Sequence, residues 1–169
     1  MRDVFFNESL IDYLEASGQN VPESLLRGET PELFKGAHGK PYFSGNDLKG
    51  IFFSLSHTSG HEAVCFSRSE VGLDCENTEA KPGIEKRYKA IAKRCFTEDE
   101  QAYVDSGTDG ALGRFFEVWT AKEAYMKYTG NGFSEGFRSF SVFNMPEVRF
   151  ETNRFPKAPH VVYSVCAKR

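Results

Sequence analysis

Short β-favouring runs stand next to one another in this sequence instead of alternating regularly with helices. Three of these runs cover residues 51–55, 62–67 and 70–76, with only tight connections between them. A regular βαβ alternation would indicate a parallel sheet, whereas neighbouring strands joined by short turns favour antiparallel pairing. The order of segments therefore predicts an α+β fold with small, mainly antiparallel sheets.

Helical patterns occupy the N-terminal end and the middle of the chain. Thr97 followed by Glu100 is a capping-box pattern, which predicts the start of a short helix. Residues 27–49 are rich in glycine and proline, which predicts a loop. The predicted helices cover residues 7–26 with a stop near Gly18, 84–94, 97–104 and 114–129, the last being the strongest. The remaining predicted strands cover residues 137–144, 147–152 and 160–167.

Composition excludes several classes of protein. The 169 residues carry a net charge of -3, which argues against binding nucleic acid through bulk positive charge. Forty per cent of the residues are hydrophobic, enough for a buried core. The four cysteines are scattered without metal-ligand spacing, and the sequence shows neither a signal-peptide pattern nor an apolar run long enough to span a membrane. We therefore expect a soluble, cytoplasmic protein with reduced cysteines.

Two carboxylates share one face of the predicted strand over residues 70–76. Because side chains alternate along a strand, Gly72, Asp74 and Glu76 point to one side, and the apolar residues between them point to the core. Two close carboxylates repel each other, and a divalent cation such as Mg²⁺ would hold them together. An ordinary amphipathic strand with a solvated acidic face would give the same pattern, so both interpretations stand at this point.

The predicted helix over 114–129 carries a second polar set. Its polar sector includes Glu123 and Lys127, which are i,i+4 neighbours and would form a surface ion pair in the absence of any function. Alternatively, Glu123 completes a carboxylate set with the strand, and Lys127 neutralises phosphate oxygens. Lys122 falls on the apolar side of the helical wheel. Either its aliphatic stem passes along the core so that the ammonium group reaches a polar environment, or the side chain enters a ligand site from a second direction.

Weaker signals lie upstream of the acidic strand. The Gly39-Lys40-Pro41 turn offers a cation on a stiffened loop, and Ser56 with His57 offers a hydroxyl and an imidazole for phosphate binding. No Asp or Glu is placed to suggest a Ser-His-acid triad, which argues against a serine hydrolase.

In this order, the motifs resemble those of the 4'-phosphopantetheinyl transferase superfamily, in its monomeric, surfactin-synthetase-activating type. The matching segments are residues 39–41, 53–57, 71–76, 96–100 and 119–127. The resemblance covers about residues 39–142, and its specific part is the Asp-x-Glu strand followed by the Trp-x-x-Lys-Glu helix. It implies a monomer of two similar halves, each a small, mainly antiparallel sheet with packed helices. We expect a short N-terminal half over residues 1–69 and a C-terminal half over 70–169, with the active site between them.

The resemblance also implies an activity and a set of site residues. The 4'-phosphopantetheine group of coenzyme A would pass to a serine of an acyl or peptidyl carrier protein, releasing adenosine 3',5'-bisphosphate. Glu123, directly or through a water on the metal, would take the serine proton, and Lys127 would stabilise the leaving phosphate. The implied Mg²⁺ ligands are Asp74, Glu76 and Glu123. The implied coenzyme A contacts are Lys40, Ser56, His57 and Lys122.

Residues 81–94 hold six basic residues and a single acid, Glu85. A solvated helix face explains this excess, and the resemblance suggests a docking surface for an acidic carrier protein or a site for nucleotide phosphates. Two other functions stay open on the sequence: a metal-dependent nucleotide pyrophosphatase that uses the same carboxylates, and a non-catalytic module that binds coenzyme A or a carrier protein.

Overall fold

The computed structural model describes residues 2–107, 109–132 and 136–169. Its helices are α1 (Arg2–Ala16), α2 (Glu23–Leu26), α3 (Ile84–Cys95), α4 (Glu98–Asp105) and α5 (Ala111–Thr129). Its strands are β1 (Leu33–Lys35), β2 (Pro41–Phe43), β3 (Phe52–Thr58), β4 (His61–Ser67), β5 (Val71–Asn77), β6 (Val148–Phe155) and β7 (Ala158–Lys168). None of the helices in these ranges is long and apolar enough to cross a membrane.

The strands form small antiparallel sheets. β1 pairs with β2, β3 pairs with β4, and β7 lies between β5 and β6 in a three-stranded sheet. Phe6, Leu10 and Leu14 of helix α1 share a core with side chains of β3 and β4, and a second core lies where α3, α4 and α5 meet. The predicted α+β class, with small antiparallel sheets and packed helices, is confirmed.

Two of the predicted segments are wrong. Residues 27–49, predicted as a loop, contain the β1–β2 pair, whose connection turns at Gly39 with a φ of 88°. Glycine reaches this left-handed conformation without a steric penalty. The strand predicted over residues 137–144 is absent, and a short 3₁₀ turn at Phe137–Ser139 begins that segment. Phe137 and Phe140 of this segment pack against α5, with the ring of Phe137 stacked on Trp119 and that of Phe140 against Tyr125.

Smaller differences concern the ends of the elements. Helix α1 begins at Arg2 instead of residue 7 and ends before Gly18, so that residues 7–26 hold one long helix and one short one. The capping box of α4 is present, with the carboxylate of Glu100 accepting a hydrogen bond from the Thr97 backbone N–H at 2.8 Å.

Helix α5 lies unusually close to β5. A Cβ atom on Gly72 would stand 1.9 Å from the carbonyl oxygen of Ala124 and 2.4 Å from the backbone nitrogen of Tyr128. Only glycine leaves room for this approach. The missing side chain at position 72 therefore brings the backbone of α5 onto the strand that carries Asp74.

Strands β3 and β5 are joined through side chains. Three β3 residues, Ser54, Ser56 and Thr58, each accept a hydrogen bond through the hydroxyl from a backbone N–H of β5. The donors are the amides of Leu73, Cys75 and Asn77, at 2.9, 3.2 and 2.9 Å respectively. Because the separation in sequence is the same each time, the two strands run in the same direction. We call these three hydroxyls the hydroxyl ladder.

Candidate active site

Asp74 forms the centre of the site. Its Oδ1 atom accepts hydrogen bonds from the Ser56 hydroxyl and from the ammonium group of Lys127, both at 2.9 Å. Its Oδ2 atom is buried and has no hydrogen-bond partner among the described residues. Burial raises the pKa of Asp74, while Lys127 and Ser56 act in the opposite direction. A buried carboxylate oxygen without a donor marks a place where a ligand can bind.

Glu76, two residues further along β5, lies nearer to solvent. Its Oε1 atom pairs with Lys81 at 2.5 Å, and its Oε2 atom accepts a longer hydrogen bond of 3.4 Å from the Thr58 hydroxyl. Glu76 is therefore shared between the loop before α3 and strand β3.

Glu123 approaches this pair from α5. Its pKa is raised to about 7, first by burial and then by the negative charge of Asp74, with a smaller contribution from Glu76. Lys127 and Lys81 lower the pKa but do not compensate for burial. A carboxylate with a pKa near neutrality can accept and release a proton under physiological conditions.

Lys127 lies one turn after Glu123. Its ammonium group contacts Asp74 and the carbonyl oxygen of Leu55, the latter at 3.3 Å, and the side chain is 32% exposed. The ion pair of Lys127 with Asp74 therefore joins α5 to β5. The sequence had also allowed a surface ion pair between Lys127 and Glu123 along the helix.

A cavity of about 350 Å³ opens beside these groups, between the turn before β2, strand β3 and the C-terminal end of α5. Its walls combine apolar side chains with the charged groups of the site. The lining residues used below are Lys40, Leu55, Glu123, Met126 and Lys127.

Lys40 lines this cavity, but its ammonium group is held by protein atoms. It contacts Glu70 Oε2 at 2.5 Å and the backbone oxygens of Val71 and Tyr128 at 3.2 and 3.0 Å. The side chain is 8% exposed. Lys40 thus fastens the Gly-Lys-Pro turn to the end of α5, and its contact with coenzyme A stays a prediction.

The structure does not bring Lys122 or His57 to the carboxylates. Lys122 is fully buried, pairs with the buried Glu100 at 2.9 Å, and donates to the carbonyl oxygens of Phe137 and Phe140, each at 2.6 Å. Burial lowers the pKa of Lys122, and Glu100 opposes this shift. His57 is exposed and, by the alternation of side chains in β3, lies on the opposite face from Ser56.

The donor chemistry of the site fits a divalent cation. Asp74, Glu76 and Glu123, which we call the carboxylate set, supply only oxygen ligands, and one oxygen of Asp74 lacks a partner within the described part of the chain. Among the described residues, no group of three or more acidic, histidine or cysteine side chains is close enough together to hold a metal ion.

Comparisons with known proteins show the family of this chain. The chain belongs to the 4'-phosphopantetheinyl transferase superfamily, whose family model matches residues 70–168. It is 35% identical over 164 residues to the 4'-phosphopantetheinyl transferase psf-1 of Bacillus pumilus, covering 95% of this chain and 64% of that protein. The superfamily predicted from the motifs is confirmed.

Two further relatives support the same type. The 4'-phosphopantetheinyl transferase Sfp of Bacillus subtilis is 35% identical over 125 residues, covering 72% of this chain and 49% of that protein. The transferase gsp of Aneurinibacillus migulanus is 31% identical over 139 residues, covering 82% of this chain and 50% of that protein. These relatives confirm the predicted resemblance to the surfactin-synthetase-activating type. The chain spans about half to two thirds of their length.

Sequence reasoning missed several residues that support the site. Glu70 forms an ion pair with Lys40, and Lys81 forms one with Glu76. Neither Glu70 nor Lys81 is among the predicted metal, catalytic or coenzyme A contacts. The roles of Ser54 and Thr58 were also missed. The alternation of hydroxyls along residues 54–58 is visible in the sequence and could have indicated a strand edge that supplies side-chain hydrogen bonds.

Proposed function

We propose that this protein transfers the 4'-phosphopantetheine group of coenzyme A to a serine hydroxyl of an acyl or peptidyl carrier protein. The observation that carries this proposal is the convergence of Asp74, Glu123 and Lys127 beside one cavity. An acidic group able to take a proton and a cation able to stabilise phosphate charge are the two groups that such a transfer requires. Membership of the superfamily supports the same reaction.

The cavity is the proposed site for coenzyme A. Its apolar walls, such as Leu55 and Met126, suit the uncharged parts of this molecule, and Lys127 stands where the diphosphate could be neutralised. The structure places Ser56 in contact with Asp74, so we assign its hydroxyl first to that carboxylate.

The chemical step breaks the phosphoanhydride bond of coenzyme A and forms a phosphate ester bond to the carrier serine. The carrier serine oxygen attacks the phosphorus that bears pantetheine, and the bond from that phosphorus to the bridging oxygen breaks. The electron pair stays on adenosine 3',5'-bisphosphate, whose developing charge Lys127 stabilises, while Glu123 takes the serine proton. When held by the carboxylate set, Mg²⁺ would supply positive charge beside the diphosphate oxygens.

Helix α3 is the proposed docking surface for the carrier protein. Its exposed basic side chains are Lys86, Arg87, Lys89, Lys93 and Arg94. An acidic partner would be attracted to this surface, and salt would weaken the attraction. The helix follows closely after Lys81, so a carrier bound there would lie beside the carboxylate set.

The experiment that tests the proposal measures both products of one reaction. An apo carrier protein is incubated with the chain, coenzyme A and Mg²⁺, while carrier mass and release of adenosine 3',5'-bisphosphate are followed together. We expect equal amounts of modified carrier and released nucleotide. Nucleotide release without modified carrier would favour a pyrophosphatase. Binding of coenzyme A with neither product would favour a non-catalytic module, and either result would reject the transferase.

The cytoplasmic location, the monomeric state and the division into halves at residues 69 and 70 stay predictions. Size-exclusion chromatography with light scattering would test the monomer, and a single species at the mass of one chain is the expected result.

A further inference from the structure

The hydroxyl ladder contacts two kinds of partner at once. A hydroxyl can accept one hydrogen bond while it donates another. Ser56 accepts from the Cys75 amide and donates to the Asp74 carboxylate at 2.9 Å. Thr58 repeats this arrangement one step further, accepting from the Asn77 amide.

The third hydroxyl of the ladder makes only half of this pattern. Ser54 accepts from the Leu73 amide, as the other two do from theirs. The residue of β5 that stands in the place corresponding to Asp74 is Gly72, which has no side chain to receive a hydrogen bond. Ser54 and Ser56 are both buried, with 5% and 6% of their surface exposed. Among the residues that the structure describes, Ser54 joins the strands without contacting a carboxylate and also lines the cavity, whereas Ser56 joins the strands and contacts Asp74.

We propose that Ser56 and Thr58 are positioning residues, which fix the carboxylates of Asp74 and Glu76 through the hydroxyl ladder. The hydrogen bond from the β5 amide restricts each hydroxyl, which favours donation to the carboxylate of the neighbouring β5 residue. Asp74 and Glu76 lie two residues apart on one face of β5, and the ladder repeats with the same period. This inference rests on the proposed function, because it assigns the fixed carboxylates to a divalent cation.

The first test compares Ser56→Ala with Ser54→Ala. Each variant removes one buried hydroxyl and leaves one β5 amide without its acceptor, so both should lower the unfolding temperature. Ser56→Ala should lower it further, because it also removes the hydrogen bond to the buried Asp74 carboxylate. Calorimetry then measures the affinity for Mn²⁺ alone, without nucleotide. We expect Ser56→Ala to lose about tenfold or more, the usual effect of removing a group that orients a metal ligand, and Ser54→Ala to bind Mn²⁺ as the wild type does.

A second pair of variants tests Thr58. Thr58→Val keeps the shape of the side chain and removes the hydroxyl, whereas Thr58→Ser keeps the hydroxyl. We expect weaker Mn²⁺ binding in the valine variant and recovery in the serine variant. Equal losses in Ser54→Ala and Ser56→Ala, or unchanged Mn²⁺ affinity in both Ser56→Ala and Thr58→Val, would overturn the proposal.

Crystal structures of the two serine variants supply a readout that needs no metal. We expect the Asp74 carboxylate to turn in Ser56→Ala and to stay in place in Ser54→Ala. An unmoved Asp74 in Ser56→Ala would contradict the positioning role, whatever the Mn²⁺ result. A wild-type chain that binds no Mn²⁺, with Asp74 displaced only in Ser56→Ala, would reject the cation assignment and retain the positioning role.

Discussion

The ammonium group of Lys127 lies 2.9 Å from Asp74 Oδ1 and connects helix α5 to strand β5. The carboxylate is buried, and the cation is partly exposed at the cavity that also borders Glu123. One side of Lys127 therefore contacts a buried carboxylate, while the other faces the cavity in which we propose that coenzyme A binds. This double role makes Lys127 the most informative residue for mutation.

Replacing Lys127 with Met should reduce transfer more than it reduces stability. The variant loses the cation that would stabilise the leaving phosphate, so we expect kcat to fall about 100-fold or more. Lys127 is partly exposed, whereas Asp74 is buried, so the expected loss of unfolding free energy is about 2 kcal/mol, between that of an exposed and that of a buried pair. Steady-state kinetics and urea denaturation measure the two effects. A variant with near wild-type kcat would show that Lys127 only supports Asp74.

Replacing Gly72 with Ala should move α5 away from β5. The new methyl group would overlap the backbone of the helix at Ala124, where neither flexible side chain nor empty space can absorb it. We expect a loss of about 3 kcal/mol or more in unfolding free energy, and loss of the Lys127 contact with Asp74. Gly45→Ala is the control, because its φ of −79° suits alanine and no other atom lies within 4 Å of the added carbon. Equal stabilities for the two variants would contradict the close packing.

The raised pKa of Glu123 predicts how stability changes with pH in metal-free protein. Because folding raises this pKa from 4.5 to about 7, the folded state prefers the protonated form. The resulting stabilisation is complete below pH 4.5 and is lost as pH rises through 7. Each pKa unit corresponds to about 1.4 kcal/mol, so the total reaches at most about 3 to 4 kcal/mol.

The Glu123→Gln variant is the control for this pH effect. Both proteins are unfolded with urea at several pH values between 4 and 8 in the presence of a chelator. The free energy of unfolding of the wild type should fall relative to that of the variant across this range. If the free energies of unfolding of the two proteins changed with pH in parallel, Glu123 would have the same pKa in the folded state and in the unfolded chain.

Replacing Lys122 with Met should destabilise the fold, because Glu100 would keep a buried charge without its partner. Both side chains are fully buried, so we expect a loss of about 3 to 5 kcal/mol. The double change Lys122→Met with Glu100→Gln should recover part of this loss. Lys89→Met serves as the surface control, because Lys89 and Asp105 are both exposed and lie 3.8 Å apart. Urea denaturation that gives similar values for Lys122→Met and Lys89→Met would contradict the buried pair.

The parts of the site that follow a local period could be predicted from the sequence. Alternation along β5 placed Asp74 and Glu76 on one face, and the helical period placed Glu123 and Lys127 on one sector of α5. The helical wheel also marked Lys122 as unusual, but its partner Glu100 belongs to another helix, and no local pattern pairs the two.

Contacts between distant segments could not be predicted in this way. Lys40 and Glu70 are separated by 30 positions, and their contact depends on how the Gly-Lys-Pro turn crosses the end of α5. The β-favouring composition of residues 137–144 also misled the prediction, because the aromatic side chains that favour strands are those that cover a helix. Tertiary packing decides both cases.

The most direct test of the central claim is the intact mass of an apo carrier protein after incubation with coenzyme A, Mg²⁺ and either the wild-type chain or Glu123→Gln. The account predicts that the wild type adds one phosphopantetheine group per carrier. It also predicts that Glu123→Gln, folded as judged by circular dichroism, transfers at least about 100-fold more slowly. No added mass with the wild type, or equal rates for the two proteins, would contradict it.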